Sequence, residues 1–151
     1  VEIDFDGQRY PIEIPQGVST EQLLTLTAGE NAVYQGDEIE VPLIEIAHAR
    51  SGDKGNHSNI GVIARKADYL PWIRAALTEQ SVASYMQHVL DAEKGRVIRY
   101  ELPGLNALNF MLENALGGGG IASLRIDPQG KAFAQQLLDM PVKVPAHLLE
   151  K

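Results

Sequence analysis

The chain contains no cysteine. That excludes disulfides, thiolate-ligated zinc, a conventionally held iron–sulfur cluster and a cysteine nucleophile. Long apolar runs are also missing. No stretch approaches the ~20 residues that span a bilayer, and no charged-then-apolar start reads as a signal peptide. Basic side chains are few and scattered: 13 Lys and Arg stand against 20 Asp and Glu, a formal charge of −7. Phosphate backbones and anionic lipids need a basic footprint, so neither nucleic acid nor a membrane is an expected partner. A cytoplasmic location is the simplest expectation. The first residue is Val1 rather than Met, so a trimmed chain or a piece of a longer protein is expected.

What is present suffices for a core. With 151 residues, 44% of them hydrophobic, the chain suits one compact domain that buries about 68–70% of its unfolded surface. Residues 1–40 differ from the rest and read as a β-rich arm or accessory subdomain. Apolar and polar residues alternate there around Asp6 and Gly7, which signals a β-hairpin, and Pro11 marks its second strand as an edge. Ser19 or Thr20 caps a short helix through Leu26, and residues 36–40 lead into extended chain.

Residues 41–151 read as the main domain. Segments 43–50 and 59–65 are strands rich in Ile, Val and Ala. Residues 67–77 form a helix with Pro71 in its first turn. Thr78 caps a second helix, in which Val82, Tyr85, Met86, Val89 and Leu90 follow helical spacing. Arg96–Leu102 alternates as a half-buried strand, broken by Pro103 and Gly104. Residues 105–116 are apolar at helical spacing and end at the glycine run 117–120. Residues 121–126 read as a strand, Asp127 and Pro128 as a helix start, 131–140 as its helix and 142–144 as a last extended piece. Strands alternating with helices after an initial strand pair predict an α+β sheet with helices packed on one face.

Most chemical motifs are absent. The glycines at 117–120 precede a strand rather than a helix, and Gly130 and Lys131 are followed by Ala132, so no phosphate-binding P-loop is present. There is no Gly-x-Ser-x-Gly elbow and no His-Glu-x-x-His. The four histidines, His48, His57, His88 and His147, lack metal-ligand spacing. No metal and no cofactor are expected.

The segment SGDKGNHSN at 51–59 stands out between its two apolar neighbours. A simple connection needs two to five residues; this one carries a cation, a carboxylate, an imidazole, two amides and two hydroxyls. Arg50, Ser51, Lys54, Asn56 and Asn59, with backbone N–H groups freed by the glycines, are candidate ligands for a carboxylate or phosphate. Asp53 and His57 are candidate proton-transfer groups. The alternative is a solvated loop whose Asp and Asn residues bond their own backbone. Asn106 and Asn109 form a second polar pair, which helical spacing sets on one side of segment 105–116.

Several words of the sequence together resemble one known family. They are ARSGDKG at 49–55, NIGV at 59–62, YELP at 100–103, NALNF at 106–110, Gly118 and Gly119, SLR at 123–125, Asp127, and QGK at 129–131. Over roughly residues 43–146 the chain resembles the C-terminal domain of the acyclic terpene utilisation AtuA family. The resemblance implies a ferredoxin-like fold, a term of topology only. It also implies a context in bacterial degradation of isoprenoid or branched acids through coenzyme A thioesters. In that family the domain follows a much larger N-terminal region. Two readings follow. One is a small subunit or accessory domain, in a homo- or hetero-oligomer, completing a site with a larger AtuA-type partner. The other is a free-standing enzyme or ligand-binding domain with hydratase- or isomerase-like proton chemistry on an acyl-CoA or organic acid.

Overall fold

The computed structural model describes residues 2–11 and 36–149. The helix expected from Ser19 or Thr20 to Leu26 lies outside the described residues. Strands β1 (Glu2–Phe5) and β2 (Gln8–Pro11) form the expected hairpin, with Phe5 opposite Gln8. Asp6 and Gly7 both take positive φ, 53° and 75°, the two-residue turn whose twist matches that of the strands it joins.

Strand β3 (Glu38–Pro42) pairs antiparallel with β8 (Pro141–Pro145), so the boundary drawn at residue 40 falls inside a strand. A turn of 3-10 helix, Leu43–Glu45, follows. Then comes the main sheet: β4 (Ala47–Lys54), β5 (His57–Ala64), β6 (Arg96–Leu102) and β7 (Ala107–Glu113). Its order is β4-β5-β7-β6, antiparallel throughout.

Three short helices lie between and after these strands: α1 (Leu70–Ala76), α2 (Glu79–Tyr85) and α3 (Phe133–Leu138). Pro71 sits in the first turn of α1, where its missing N–H removes no helical bond. Thr78 caps α2 as expected, its Oγ1 accepting from the Ser81 N–H at 3.0 Å, an interaction that stabilises by ~1 kcal/mol. Asp127 does not start a helix at residue 128. Its carboxylate instead accepts from the N–H groups of Lys131 and Ala132, and α3 begins only at Phe133.

Side chains alternate across the main sheet. One face carries Ile60, Val62, Val97, Leu108, Phe110 and Leu112, all buried against Ile73, Leu77, Val82, Met86, Phe133 and Leu137 of the helices and their ends. Each such side chain contributes roughly 1.5–3 kcal/mol of burial. The helices therefore pack on one face, as expected, and the other face stays open. The outer edge of β6 is guarded: Glu79 of α2 accepts the outward N–H of Arg99 at 2.8 Å, removing a donor that another strand would seek.

Three further expectations fail. Residues 105–116 are not a helix. A turn with Pro103, Gly104 at φ 84° and the Leu105 N–H bonded to Leu102 O leads into β7, and Leu108, Phe110 and Leu112 bury at a period of two. Residues 121–126 form no strand; their backbone turns back on Gly119. Segment 51–59 is no long loop either. It is the end of the β4–β5 hairpin, closed by Gly55 and Asn56 alone, with Lys54 opposite His57.

Candidate functional site

That register spreads the polar segment over a surface. On the open face, residues align in four rows across β4, β5, β7 and β6. Lys54 lies opposite His57 and Arg96 opposite Glu113; Gly52, Asn59, Met111 and Ile98 form the next row. Arg50, Gly61, Asn109 and Tyr100 form the third, and His48, Ile63, Ala107 and Leu102 the last. No helix covers these rows, so the polar residues read from the sequence as a loop form the solvent side of a hairpin.

The open face holds two adjoining hollows that share Arg50 and Gly61. One, of about 420 Å³, is polar: Arg50, Ser51, Gly52, Asp53, Lys54, Asn59 and Lys131 line it. The other, of about 320 Å³, is mostly apolar, with His48, Ile63, Leu102 and Ala107 in its walls. Glycines open them: at Gly61 an added Cβ would meet only the Arg50 carbonyl, at 3.9 Å. At Gly52 a Cβ would stand 3.1 Å from the Lys131 ammonium, which reaches over the sheet from the segment before α3.

Three cations, Arg50, Lys54 and Lys131, thus converge in a chain of net charge −7. Among the described residues no hydrogen bond or ion pair holds the Arg50 guanidinium. Lys54 Nζ donates to the Asp53 carbonyl at 3.1 Å. The Asp53 carboxylate faces Lys131, 3.7 Å away, rather than Lys54. Asn59 Nδ2 donates to Asn109 Oδ1 at 3.1 Å, which leaves the Asn59 oxygen and the Asn109 amide hydrogens for a ligand.

The remaining candidates are engaged in holding the fold. Ser51 is buried; its Oγ donates to the Lys131 carbonyl and accepts from the Ala134 N–H, pinning α3 to β4. Asn56 Nδ2 donates to Asn114 Oδ1, its Oδ1 accepts from the Gly118 N–H, and its carbonyl accepts from Ala115 and Leu116. Asn106, at φ 49° in the β6–β7 turn, is separated from Asn109, so the helical pairing of the two does not exist. His57 Nδ1 accepts from the Asn114 N–H at 2.9 Å. In the neutral ring the proton therefore sits on Nε2, and His57 offers a ligand a donor. Beside it Glu113 is held below the usual carboxylate range, chiefly by its hydrogen bond from Arg96.

Sequence reasoning missed Lys131, Gly61 and Tyr100 as parts of this face. Lys131 lies far along the chain, and only the Asp127 turn brings it to β4. The strand alternation of β5 and β6 was the signal available for the other two. Among the described residues no group of three or more His, Asp or Glu side chains gathers as a metal site, and no helix is long and apolar enough to cross a membrane.

Residues 41–143 match the family model of the AtuA ferredoxin-like domain, more than half of the chain. No curated protein and no solved structure matches.

Proposed function

The chain belongs to the family of AtuA ferredoxin-like domains, and from that premise we propose that it is an accessory domain whose open sheet face holds an organic anion. The convergence of Arg50, Lys54 and Lys131 on a hollow in an acidic chain carries this reading. Charge-assisted hydrogen bonds from such groups recognise a carboxylate or phosphate, and the paired amides of Asn59 and Asn109 supply neutral contacts beside it. The acid in view is branched or isoprenoid, free or carried as a coenzyme A thioester. Because the hollow is wide and shallow, a second surface is needed to exclude water from it; a larger AtuA-type subunit is the partner the resemblance implies.

The alternative, a free-standing hydratase- or isomerase-like enzyme, requires Asp53 or His57 to move a proton. Two observations weigh against it: the Asp53 carboxylate faces an ammonium group, and the His57 Nδ1 lone pair is occupied by a backbone N–H.

Titration of the chain with isovalerate, followed by backbone and side-chain amide shifts, tests the site. The expected result is saturable movement of the Asn59 and Asn109 amides with a dissociation constant of about millimolar order, weakened about tenfold or more by Arg50→Ala with Lys131→Ala. Shifts absent from this face, or unaltered in the double variant, would reject the assignment.

A further inference from the structure

The polar and the apolar hollow of the open face are two ends of one site. They meet at Arg50 and Gly61, which line both. Gly61 puts no side chain between them, so a ligand can pass from one to the other while staying against the sheet. One end offers cations and amides. The other offers hydrocarbon from Ile63, Ala107 and Leu102, with His48 beside them on β4. Ile63 is 45% exposed, and an apolar chain laid over it takes that surface out of water, which is favourable.

The position of the free charge decides which anion fits. Arg50, which no hydrogen bond or ion pair holds among the described residues, stands where the hydrocarbon wall begins. Lys131 is already faced by the Asp53 carboxylate, and Lys54 lies two rows further on, at the hairpin end. An anion that pairs with Arg50 and keeps its tail in the apolar hollow must carry its charge on the first atoms of the chain. A carboxylate does so, and its two oxygens match the guanidinium fork. A coenzyme A thioester does not: its carbonyl is neutral, and its phosphates stand at the far end of the pantetheine arm. With that acyl chain in the hollow, Arg50 would face an uncharged carbonyl and gain no ion pair.

We propose that this site takes the free acid rather than its thioester, with the carboxylate on Arg50 and the hydrocarbon tail along His48, Ile63, Ala107 and Leu102. A methylene group fills about as much space as a water molecule in the liquid, ~30 Å³. The apolar hollow of about 320 Å³ therefore accepts a tail of up to roughly ten carbons. Seating the tail in this way rests on the anion-site reading and narrows it, from free acid or thioester to the free acid alone. It also gives the ligand a direction, head toward the hairpin turn and tail toward the far row. The larger partner then closes over a chain already laid on the sheet.

Titration of the full chain with isovalerate, octanoate and octanoyl-coenzyme A, followed by amide and methyl shifts, is the test. Octanoate brings about three more carbons than isovalerate, each worth a factor of about two when half covered, so it should bind about eightfold more tightly. It should also move the methyl signals of Ile63 and Leu102 together with the amides of Asn59 and Asn109. Octanoyl-coenzyme A should bind this face at least about tenfold more weakly than octanoate, because the charged hydrogen bonds are lost. Ile63→Asp, at a half-exposed position, should abolish the advantage of octanoate over isovalerate. Octanoate no tighter than isovalerate, or an advantage that survives Ile63→Asp, removes the tail from the hollow. Octanoyl-coenzyme A binding as tightly as octanoate overturns the choice of the free acid. In each of these cases isovalerate shifts at Asn59 and Asn109 keep the anion site, whereas no shift with any of the acids removes both.

Discussion

The backbone N–H of Asn114 donates to Nδ1 of His57 at 2.9 Å, joining the first residue of β5 to the residue that leaves β7. The same junction holds Asn56, whose side chain bonds both Asn114 and Gly118. Through Asn56 and His57 the end of the β4–β5 hairpin fastens two parts of the chain together.

The ring of His57 should accordingly be the Nε2–H tautomer when neutral, which nitrogen-15 shifts of the imidazole report directly. His57→Ala removes the acceptor from a partly buried N–H and should cost about 1–3 kcal/mol. A ring protonated at Nδ1, or a variant as stable as the wild type, contradicts the fastening.

Gly104 and Gly119 have nearly equal φ, 84° and 85°, but different surroundings. An added Cβ at Gly104 meets nothing within 4 Å, whereas at Gly119 it would lie 2.8 Å from the Gly55 carbonyl oxygen. Gly104→Ala should therefore cost only the left-handed conformation, roughly 1–2 kcal/mol. Gly119→Ala should cost at least about 1 kcal/mol more by denaturant midpoint, because backbone must shift. Equal losses would mean that the glycine run does not approach the hairpin turn.

Gly61→Val separates binding from folding. Its Cβ has room and its backbone is ordinary strand, so stability should change by no more than about 0.5 kcal/mol. The new side chain stands where the two hollows meet and should weaken isovalerate binding about tenfold or more. Unchanged affinity with intact folding would remove the hollow from the site.

Acid sensitivity should trace partly to Glu113 and Asp91. The Arg96 hydrogen bond lowers the Glu113 pKa, and the N–H groups of Lys94, then Glu93, lower that of Asp91. A carboxyl lowered on folding adds stability that is complete above its unfolded pKa, ordinarily about 4. That stability is lost as pH falls through the lower folded value. Glu113→Gln and Asp91→Asn should flatten the decline of melting temperature below about pH 4. Identical acid profiles for wild type and variants would show that neither contact matters to folding.

Where local chemistry is strong, the sequence alone located the structure. Asp6 and Gly7 tolerate the positive φ that a two-residue hairpin turn demands, Thr78 has the hydroxyl for an N-cap, and Arg96–Leu102 alternates without ambiguity. The family words lie within 43–146, close to the matched residues 41–143. Residues 105–116 failed because Leu105, Leu108 and Leu112 satisfy a helical period while Leu108, Phe110 and Leu112 satisfy a period of two. Composition also misled at 51–59, where density of polar groups reads equally as a loop or as the uncovered side of a strand pair.

By itself, then, the sequence determined which residues are chemically able to hold an anion, the turns whose φ values only certain residues accept, and the α+β class. The tertiary structure decided which of those residues share a surface. Strand pairing sent Ser51 inward to hold α3 and left Arg50 and Lys54 outward, and it separated Asn106 from Asn109. The Asp127 turn carried Lys131 across to β4, and the loop that turned back on Gly119 left Ile121, Leu124 and Ile126 in solvent. The reason is physical: side-chain chemistry is local, but the face a strand residue occupies depends on a register set by partners distant in the chain.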